Sequence, residues 1–343
     1  MPSFAKRSLL SRLEHSAREE HALTFVVGDV EDRVSWARLH EDAQAYAAAL
    51  QGHGVRPGDH VALLGPTSRP LVTAIQATWL CGATLVVLPL PMRLASLEQF
   101  VAQTRQRIRG ADTSLLLVDP ELAPFITPEP GDPPMIEFGD LAGGDASLWR
   151  RPADDAERLA ILQFTSGSTS DPKGVMLPDK TLCANLDGLV EAGELEPDDD
   201  VLVSWLPLYH DMGLVGMLAL PMATGTDLVL GAAQEFTAKP SRWVQWLSDY
   251  GGTATAGPNF SYVLATRALR RSDQTLDLSR LRIALNGAEP VDAGNVRDFV
   301  AAGERHGLRP GAVFPAFGMA EVAIGAAFPK PLSGLRTDSV DRR

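Results

Sequence analysis

The chain has 343 residues, of which 45% are hydrophobic and 22% are charged, the balance of an ordinary folded globular protein. This composition excludes a disordered chain, a collagen-like repeat and a coiled coil. There are 31 Lys and Arg residues against 43 Asp and Glu residues, and the net charge of −12 argues against a nucleic-acid partner. Two cysteines, Cys81 and Cys183, are too few for a disulfide framework and are typical of a reducing compartment.

The beginning of the chain and its apolar runs bear on localisation. Residues 1–20 spread apolar side chains among charged ones, which predicts an amphipathic surface helix rather than a signal peptide. The most apolar stretch, residues 61–92, is interrupted by Pro66, Arg69 and Pro70, so no transmembrane segment is expected. We therefore expect a soluble protein of the cytoplasm.

Short apolar runs alternate with longer segments of helical period along the first half of the chain. The pattern predicts three strands separated by two helices, at residues 60–65, 71–81, 84–88, 94–108 and 114–118. The proline-rich residues 120–151 show little periodicity and are predicted to form a linker or surface loop.

The second half repeats the alternation. Three strands and two helices are predicted, at residues 159–164, 180–192, 200–206, 281–285 and 292–306. Two further helices are expected, one beginning at Pro240 and one capped by Asn259. The alternation predicts an α/β fold of two packed, mainly parallel β-sheets with flanking helices.

One segment has the composition of a phosphate-binding loop. Residues 165–174, TSGSTSDPKG, directly follow a predicted strand and hold five hydroxyls, two glycines and a lysine. Glycines let backbone N–H groups turn toward an anion, hydroxyls donate hydrogen bonds, and lysine supplies charge. A flexible polar surface loop has a similar composition. The patterns GxxxxGK[ST], GxGxxG and GxSxG are absent from the sequence, so P-loop, dinucleotide and nucleophile-elbow sites are not indicated.

Five segments together resemble the adenylate-forming superfamily, which includes acyl-CoA synthetases, nonribosomal-peptide adenylation domains and fatty acyl-AMP ligases. In the order typical of that superfamily they are TSGSTSDPKG (165–174), SWLPLYHDMGLVG (204–216), GPNFS (257–261), NGAEP (286–290) and FGMAE (317–321). The similarity runs from about residue 20 to the end. It implies the layered αβαβα fold of the large N-terminal domain of these enzymes.

The resemblance implies a role for each matching residue, with ATP and Mg²⁺ as cofactors. His210 and Glu321 are the candidate catalytic residues, His210 in a lining role and Glu321 also as the metal ligand. The candidate nucleotide-binding residues are Thr165, Ser166, Gly167, Ser168, Thr169, Lys173, Gly174, Asn286, Gly287, Ala288, Phe317, Gly318, Met319 and Ala320. The candidate acyl-substrate residues are Asp211, Met212, Gly213, Gly257, Pro258, Asn259 and Phe260.

Several of these residues have a second interpretation. Phe317, which stands where many relatives have tyrosine, is expected to stack on adenine, although a phenylalanine beside small residues is more often core packing. Glu289 is interpreted as a solvated loop carboxylate, and residues 198–200, DDD, as a solvated turn. The tryptophans at 205, 243 and 246 are predicted to pack a helix against a sheet.

Within the superfamily, PLPMRL after a strand, YHDMGL and the GPNF turn are most similar to fatty acyl-AMP ligases. This implies ATP-dependent activation of a fatty acid to an acyl-adenylate, with release of pyrophosphate and transfer to an acyl carrier protein. The alternatives are an acyl-CoA synthetase, which uses CoA, and a non-catalytic fragment that binds nucleotide or acyl chain. An aminoacyl-selecting domain is disfavoured because Ser241 and Trp243 stand where an amine-pairing aspartate is expected.

The resemblance also implies a continuation beyond Glu321, with a small β-barrel, a ribose-binding aspartate and a mobile C-terminal domain bearing a catalytic lysine. None of their motifs is found in the residues after Glu321. Residues 1–343 are therefore expected to be a truncated N-terminal adenylation domain, with halves of about 40–155 and 156–330, lacking most of the β-barrel and the C-terminal domain. We expect such a chain to be weakly active or inactive alone.

Overall fold

The computed structural model describes residues 7–90, 97–165 and 173–340. The described strands are β1 (Ala22–Val27), β2 (Val30–Ser35), β3 (His60–Leu64), β4 (Thr84–Val87), β5 (Thr113–Val118), β6 (Met135–Glu137), β7 (Leu159–Thr165), β8 (Lys173–Pro178), β9 (Val201–Ser204), β10 (Asp227–Gly231), β11 (Ala254–Gly257), β12 (Ile283–Asn286), β13 (Val313–Pro315), β14 (Phe317–Gly318) and β15 (Gly325–Ala327). The described α-helices are α1 (Leu9–Ser16), α2 (Trp36–Gly52), α3 (Arg69–Leu80), α4 (Leu97–Gly110), α5 (Asp179–Gly193), α6 (Leu220–Thr224), α7 (Ala233–Ala238), α8 (Ser241–Asp249), α9 (Asn259–Arg271) and α10 (Ala293–Gly303). Across the described ranges, the helices are all too short or too polar to cross a membrane.

Two large sheets organise the described strands, and each is parallel except at one edge. The first has the order β6-β5-β3-β4-β7-β8, with only the β7–β8 pair antiparallel. The second has the order β13-β12-β11-β9-β10-β1-β2, with only the β1–β2 pair antiparallel. Their central strands are short apolar runs because a parallel sheet is covered on both faces. The predicted fold class is confirmed.

Helices α2 and α3 pack on each other between the two sheets. Trp79 of α3 is buried, and its indole N–H donates to the carbonyl of Ala160 in β7, at 3.0 Å. Trp36 of α2 is also buried, and its indole N–H donates to the carbonyl of Thr226 just before β10, at 2.9 Å. Each tryptophan thus buries a large apolar surface while its one polar atom keeps a partner. The two tryptophans therefore attach α3 to the first sheet and α2 to the second.

The first helix is more deeply buried than the surface helix that the sequence predicts. Leu9 and Leu13 are buried, and so is Arg12, which is only 1% exposed. The Arg12 guanidinium makes two hydrogen bonds, of 2.7 and 3.0 Å, to the carboxylate of Asp187 on α5. A buried arginine is tolerated only with such a partner. This contact anchors α1 on α5.

One local prediction is corrected by the structure, and another can be followed only in part. Residues 120–151 are not simply a loop: β6 extends the first sheet beside β5, and Phe138 and Leu141 are buried in the core. Strand β6 has only three residues, too few to show the alternation of apolar and polar side chains by which a strand is predicted. The helix predicted at 94–108 is α4, which begins at Leu97; its predicted start, Leu94, lies outside the described residues.

The cysteines are predicted to be chemically inert in the folded chain. Both are buried, and burial raises the pKa of each thiol to about 12. Because the thiolate is the reactive form, we expect iodoacetamide at pH 8 to leave Cys81 and Cys183 unmodified in the native chain and to alkylate both in urea. Mass spectrometry of the treated chain measures this. Modification of the native chain at the rate of a free thiol would contradict it.

Candidate functional site

An apolar cavity of about 260 Å³ lies along one face of the second sheet, under α5 and the residues that follow β9. Leu202, Ala254 and Ile283 line it where β9, β11 and β12 begin. Gly287 and Phe317 line it beyond the carboxyl ends of β12 and β13. The cavity therefore runs the length of the strands and reaches the edge where parallel sheets usually bind ligands.

The cavity wall offers almost no group that could hydrogen-bond to a ligand. Apart from His210, Asp211 and Thr255, its described lining residues are glycines or carry apolar side chains. The Thr255 hydroxyl is already used: it donates to the carbonyl of Val203, at 2.6 Å, and accepts from the indole of Trp243, at 2.8 Å. A polar substrate would lose its hydration without compensation here. The cavity suits a hydrocarbon chain.

A π-helix, Met212–Ala219, forms one wall of the cavity. Its start requires glycine, because a Cβ atom on Gly213 would collide with the carbonyl oxygen of Pro207. Gly216 on the same helix lines the cavity directly. Helices of this type are rare and are frequently found at functional sites, and the sequence pattern alone does not separate them from α-helices.

His210 and Asp211 stand just before the π-helix and also line the cavity. The carboxylate oxygen of Asp211 lies 2.7 Å from Nδ1 of His210 and accepts from the backbone N–H of Met212 at 2.8 Å. The imidazole is 51% exposed. Asp211 thus orients the ring of His210 at the cavity wall.

Phe317 stands between the apolar cavity and an open cleft of about 750 Å³. Its side chain is 63% exposed, so it is not core packing. The cleft is also lined by Lys330 and Arg336, which bring positive charge to the same place. An exposed aromatic face beside cationic side chains is suited to a nucleotide.

The strand that follows the predicted phosphate loop contacts the segment that carries Glu321. Strand β7 ends at Thr165 and β8 begins at Lys173, whereas Ser166, Gly167, Ser168 and Thr169 lie outside the described residues. Lys173 and Gly174 are exposed. Strand β8 contacts the short 3₁₀-helix Ala320–Val322, which carries Glu321. The two segments therefore share one region of the molecule.

Other predicted residues lie beside the cavity without lining it. Gly257, Pro258, Asn259 and Phe260 surround the start of α9, where the half-exposed ring of Phe260 packs edge-on against Trp205. Met319 and Ala320 belong to the turn that carries Glu321. The tryptophans at 205, 243 and 246 are buried, as predicted for packing of α8 against the sheet.

The prediction that Asn259 caps α9 is wrong. The helix follows Pro258, and the carboxylate of Glu289 accepts from the backbone N–H of Phe260, at 2.7 Å. Glu289 is therefore more than a solvated loop residue. The Asn259 side chain instead accepts from the amide of Asn286, at 3.3 Å, and from the backbone of Asp292, at 3.2 Å. Asn286 is fully buried and supports the loop, while Gly287 and Ala288 after it line the cavity.

Several cavity residues were not singled out from the sequence. On α5 these are Leu189, Ala192 and Gly193, and near the end of the chain they are Phe314, Ile324 and Phe328. The helical period of α5 does indicate a buried face. It does not tell whether that face meets core side chains or a ligand.

Glu321 fits a magnesium ion better than a zinc ion. Within the described ranges its exposed carboxylate makes no hydrogen bond or ion pair. The same ranges contain no cluster of three or more His, Cys, Asp or Glu side chains that could bind a metal. Protein zinc sites use three or four such ligands, whereas Mg²⁺ is usually held by one or two carboxylates together with substrate phosphates and water.

A family model described as AMP-binding enzyme matches residues 13–342. The chain belongs to the AMP-binding enzyme family. Among its relatives, the putative ligase Rv1013 of Mycobacterium tuberculosis is 36% identical over 312 residues, which are 90% of this chain and 57% of the relative. The medium-chain-fatty-acid–[acyl-carrier-protein] ligase JamA of Moorena producens is 32% identical over 328 residues, 92% of this chain and 55% of that protein.

A solved structure shows the same fold. The fatty acyl-adenylate ligase from Legionella pneumophila, in complex with acyl adenylate and pyrophosphate, matches with a TM-score of 0.87 and 28% identity, over 95% of this chain and 58% of that one. The resemblance to adenylate-forming enzymes is thereby confirmed. The chain spans little more than half the length of these relatives.

Proposed function

We propose that this chain is part of an enzyme that activates a fatty acid with ATP. A carboxylate oxygen of the acid attacks the α-phosphorus, the bond from that phosphorus to the bridging oxygen of the β-phosphate breaks, and acyl-adenylate and pyrophosphate are formed. The observation that carries the proposal is the cavity itself: an apolar space that ends at an exposed aromatic ring beside an open, cationic cleft. A hydrocarbon tail and a nucleotide joined at one carboxyl group have this shape and polarity.

The residues present support this reaction without a protein nucleophile. Phe317 would stack on the adenine, and Lys173 and the hydroxyl-rich residues 165–170 would bind the phosphates. Glu321 would hold Mg²⁺, which when bound neutralises charge on the phosphate oxygens. His210, held by Asp211, lies at the cavity mouth, where it would orient the carboxylate. Catalysis of this kind consists mainly of positioning and charge stabilisation.

We further propose that the acyl group passes to an acyl carrier protein. The name of JamA gives that acceptor for a relative 32% identical to this chain. Supplying the acyl-adenylate with either CoA or a phosphopantetheine-bearing carrier protein, and measuring which is acylated, distinguishes the two acceptors. Acylation of CoA alone would instead support an acyl-CoA synthetase.

Binding of non-hydrolysable acyl-adenylate analogues tests the proposal. We expect dodecanoyl-sulfamoyl-adenosine to bind at least about 100-fold more tightly than acetyl-sulfamoyl-adenosine, since each buried methylene contributes about 0.8 kcal/mol. Phe317→Ala should weaken both by about tenfold, because stacking on a base contributes about 1–3 kcal/mol. Isothermal titration calorimetry measures both effects.

The matched control is Phe125→Ala, which removes another exposed phenylalanine that lies outside the cavity and the cleft. Its affinities should equal those of the unmodified chain. Equal affinity for the two analogues would rule out a fatty-acid substrate, and an unchanged affinity in Phe317→Ala would rule out the adenine-binding role.

A further inference from the structure

The loop that carries Glu321 is tied to α5 by one side chain, Asn185. The amide nitrogen of Asn185 donates to the carbonyl of Gly325, at 2.8 Å, and its amide oxygen accepts from the N–H of the same glycine, at 3.1 Å. The two residues are 140 positions apart in the chain. This pair of hydrogen bonds satisfies both backbone groups of Gly325 and fixes where β15 begins.

The loop is also closed on itself, so that holding one end fixes the whole turn. The backbone N–H of Met319 donates to the carbonyl of Ile324, at 2.8 Å, and that of Ala323 to Ala320, at 3.0 Å. Ala323 is buried and has φ +76°, a backbone conformation that non-glycine residues keep only where the surroundings impose it. A Cβ atom on Gly318 would collide with the carbonyl of Ile324. The backbone of residues 318–325 is thus held in one conformation by its own hydrogen bonds and close contacts.

Glu321 depends on this path for its position. Its carboxylate makes no hydrogen bond or ion pair within the described part of the chain, so the backbone of the turn alone determines where it lies. Helix α5 follows directly after β8, and β8 begins at Lys173, where the predicted phosphate loop ends. Asn185 therefore links the segment that would bind the phosphates to the segment that would bind the metal.

We propose that Asn185 is a positioning residue for the nucleotide–metal site: it fixes Glu321 relative to Lys173 without touching either the nucleotide or the metal. The expected effect on ATP and metal binding rests on the proposed function. The hydrogen bonds that hold the turn do not depend on it. A general effect on folding is distinguished through Asp187 on the same helix. The side chain of Asp187 ties α5 to Arg12 of α1 and makes no hydrogen bond to the 318–325 turn.

The test is the affinity of the chain for ATP, measured by calorimetry with Mg²⁺ and with EDTA. We expect Asn185→Ala to weaken binding in Mg²⁺ about tenfold, equivalent to about 1.4 kcal/mol, and binding in EDTA less than twofold. Glu321→Gln should remove the advantage of Mg²⁺. In the Glu321→Gln background, Asn185→Ala should have no further effect, because the residue acts through Glu321. Asp187→Ala should destabilise the chain but leave unchanged the ratio of the ATP affinity in Mg²⁺ to that in EDTA.

Amide hydrogen exchange provides a second readout that needs no ligand. Asn185→Ala should speed exchange at Met319, Ala323 and Gly325, and Asp187→Ala should not. Asn185→Asp keeps the acceptor for Gly325 and loses the donor, so its exchange should be intermediate. Unchanged exchange in the turn, or equal loss of ATP affinity with Mg²⁺ and EDTA, would overturn the inference. If the unmodified chain binds no ATP, the proposed function fails and the exchange result alone decides the role of Asn185.

Discussion

Asp200→Ala is expected to lower the free energy of unfolding by about 3–5 kcal/mol, the usual effect of removing one partner of a buried ion pair. The Asp200 side chain is 3% exposed and pairs with the guanidinium of Arg282. It also accepts from the hydroxyl of Thr253, at 2.6 Å, and from the backbone N–H of Glu196, at 2.8 Å. Alanine would leave the Arg282 charge without its carboxylate at the base of the second sheet. Urea denaturation followed by circular dichroism measures the change.

Asp198→Ala is the matched control, two residues away. The Asp198 side chain is 77% exposed and pairs with Arg18 at the surface, at 3.1 Å. Exposed pairs of this kind contribute at most about 1 kcal/mol. If the two variants differed by less than about 1 kcal/mol in unfolding free energy, the buried Asp200–Arg282 pair would not stabilise the fold more than the exposed pair does.

Gly216→Leu is expected to lower the affinity for dodecanoyl-sulfamoyl-adenosine at least about 100-fold while leaving ATP affinity within about threefold. A Cβ atom at this position would meet only Ile324, at an ordinary contact distance of 3.7 Å, and both residues line the cavity. The leucine side chain would therefore occupy acyl space without disturbing the π-helix backbone. Displacing four methylenes removes about 3 kcal/mol of binding. Calorimetry with the two ligands measures the effect.

The same substitution at Gly188 provides the comparison. Gly188 is exposed on α5, and a Cβ atom there would contact nothing within 4 Å. Gly188→Leu should bind both ligands like the unmodified chain. Equal dodecanoyl affinity in the two leucine variants would show that the acyl chain lies elsewhere.

Much of the candidate site is predictable from the sequence because parallel strands bring distant segments together. His210, Gly287 and Phe317 belong to three separate motifs, and each follows a strand of the second sheet. Since the carboxyl ends of parallel strands meet at one edge, these residues line one cavity. The alternation of apolar runs and helical segments predicts two packed, mainly parallel sheets, whereas the site residues and the αβαβα layering were expected from the resemblance to the adenylate-forming superfamily.

The features that the sequence did not reveal depend on partners far along the chain. Which aspartate in the run 198–200 is buried depends on Arg282, and the start of α9 is capped by Glu289 rather than by the nearby Asn259. Neither partner can be identified from local pattern. The π-helix was missed for a different reason, because its apolar residues fit an α-helical period equally well.

The pairing of β1 with β10 has a consequence for synthesis of the chain. Leu23 is the register partner of Leu228, so the amino-terminal hairpin has no parallel neighbour until β10, about 200 residues later in the chain, has been made. At a translation rate of about 5–20 residues per second, β10 is synthesised on the order of ten to forty seconds after β1, and β1 has no parallel partner during that time. During that interval β1 presents an unpaired edge on which other nascent chains can aggregate, so recovery of soluble protein should depend on translation speed and on chaperones.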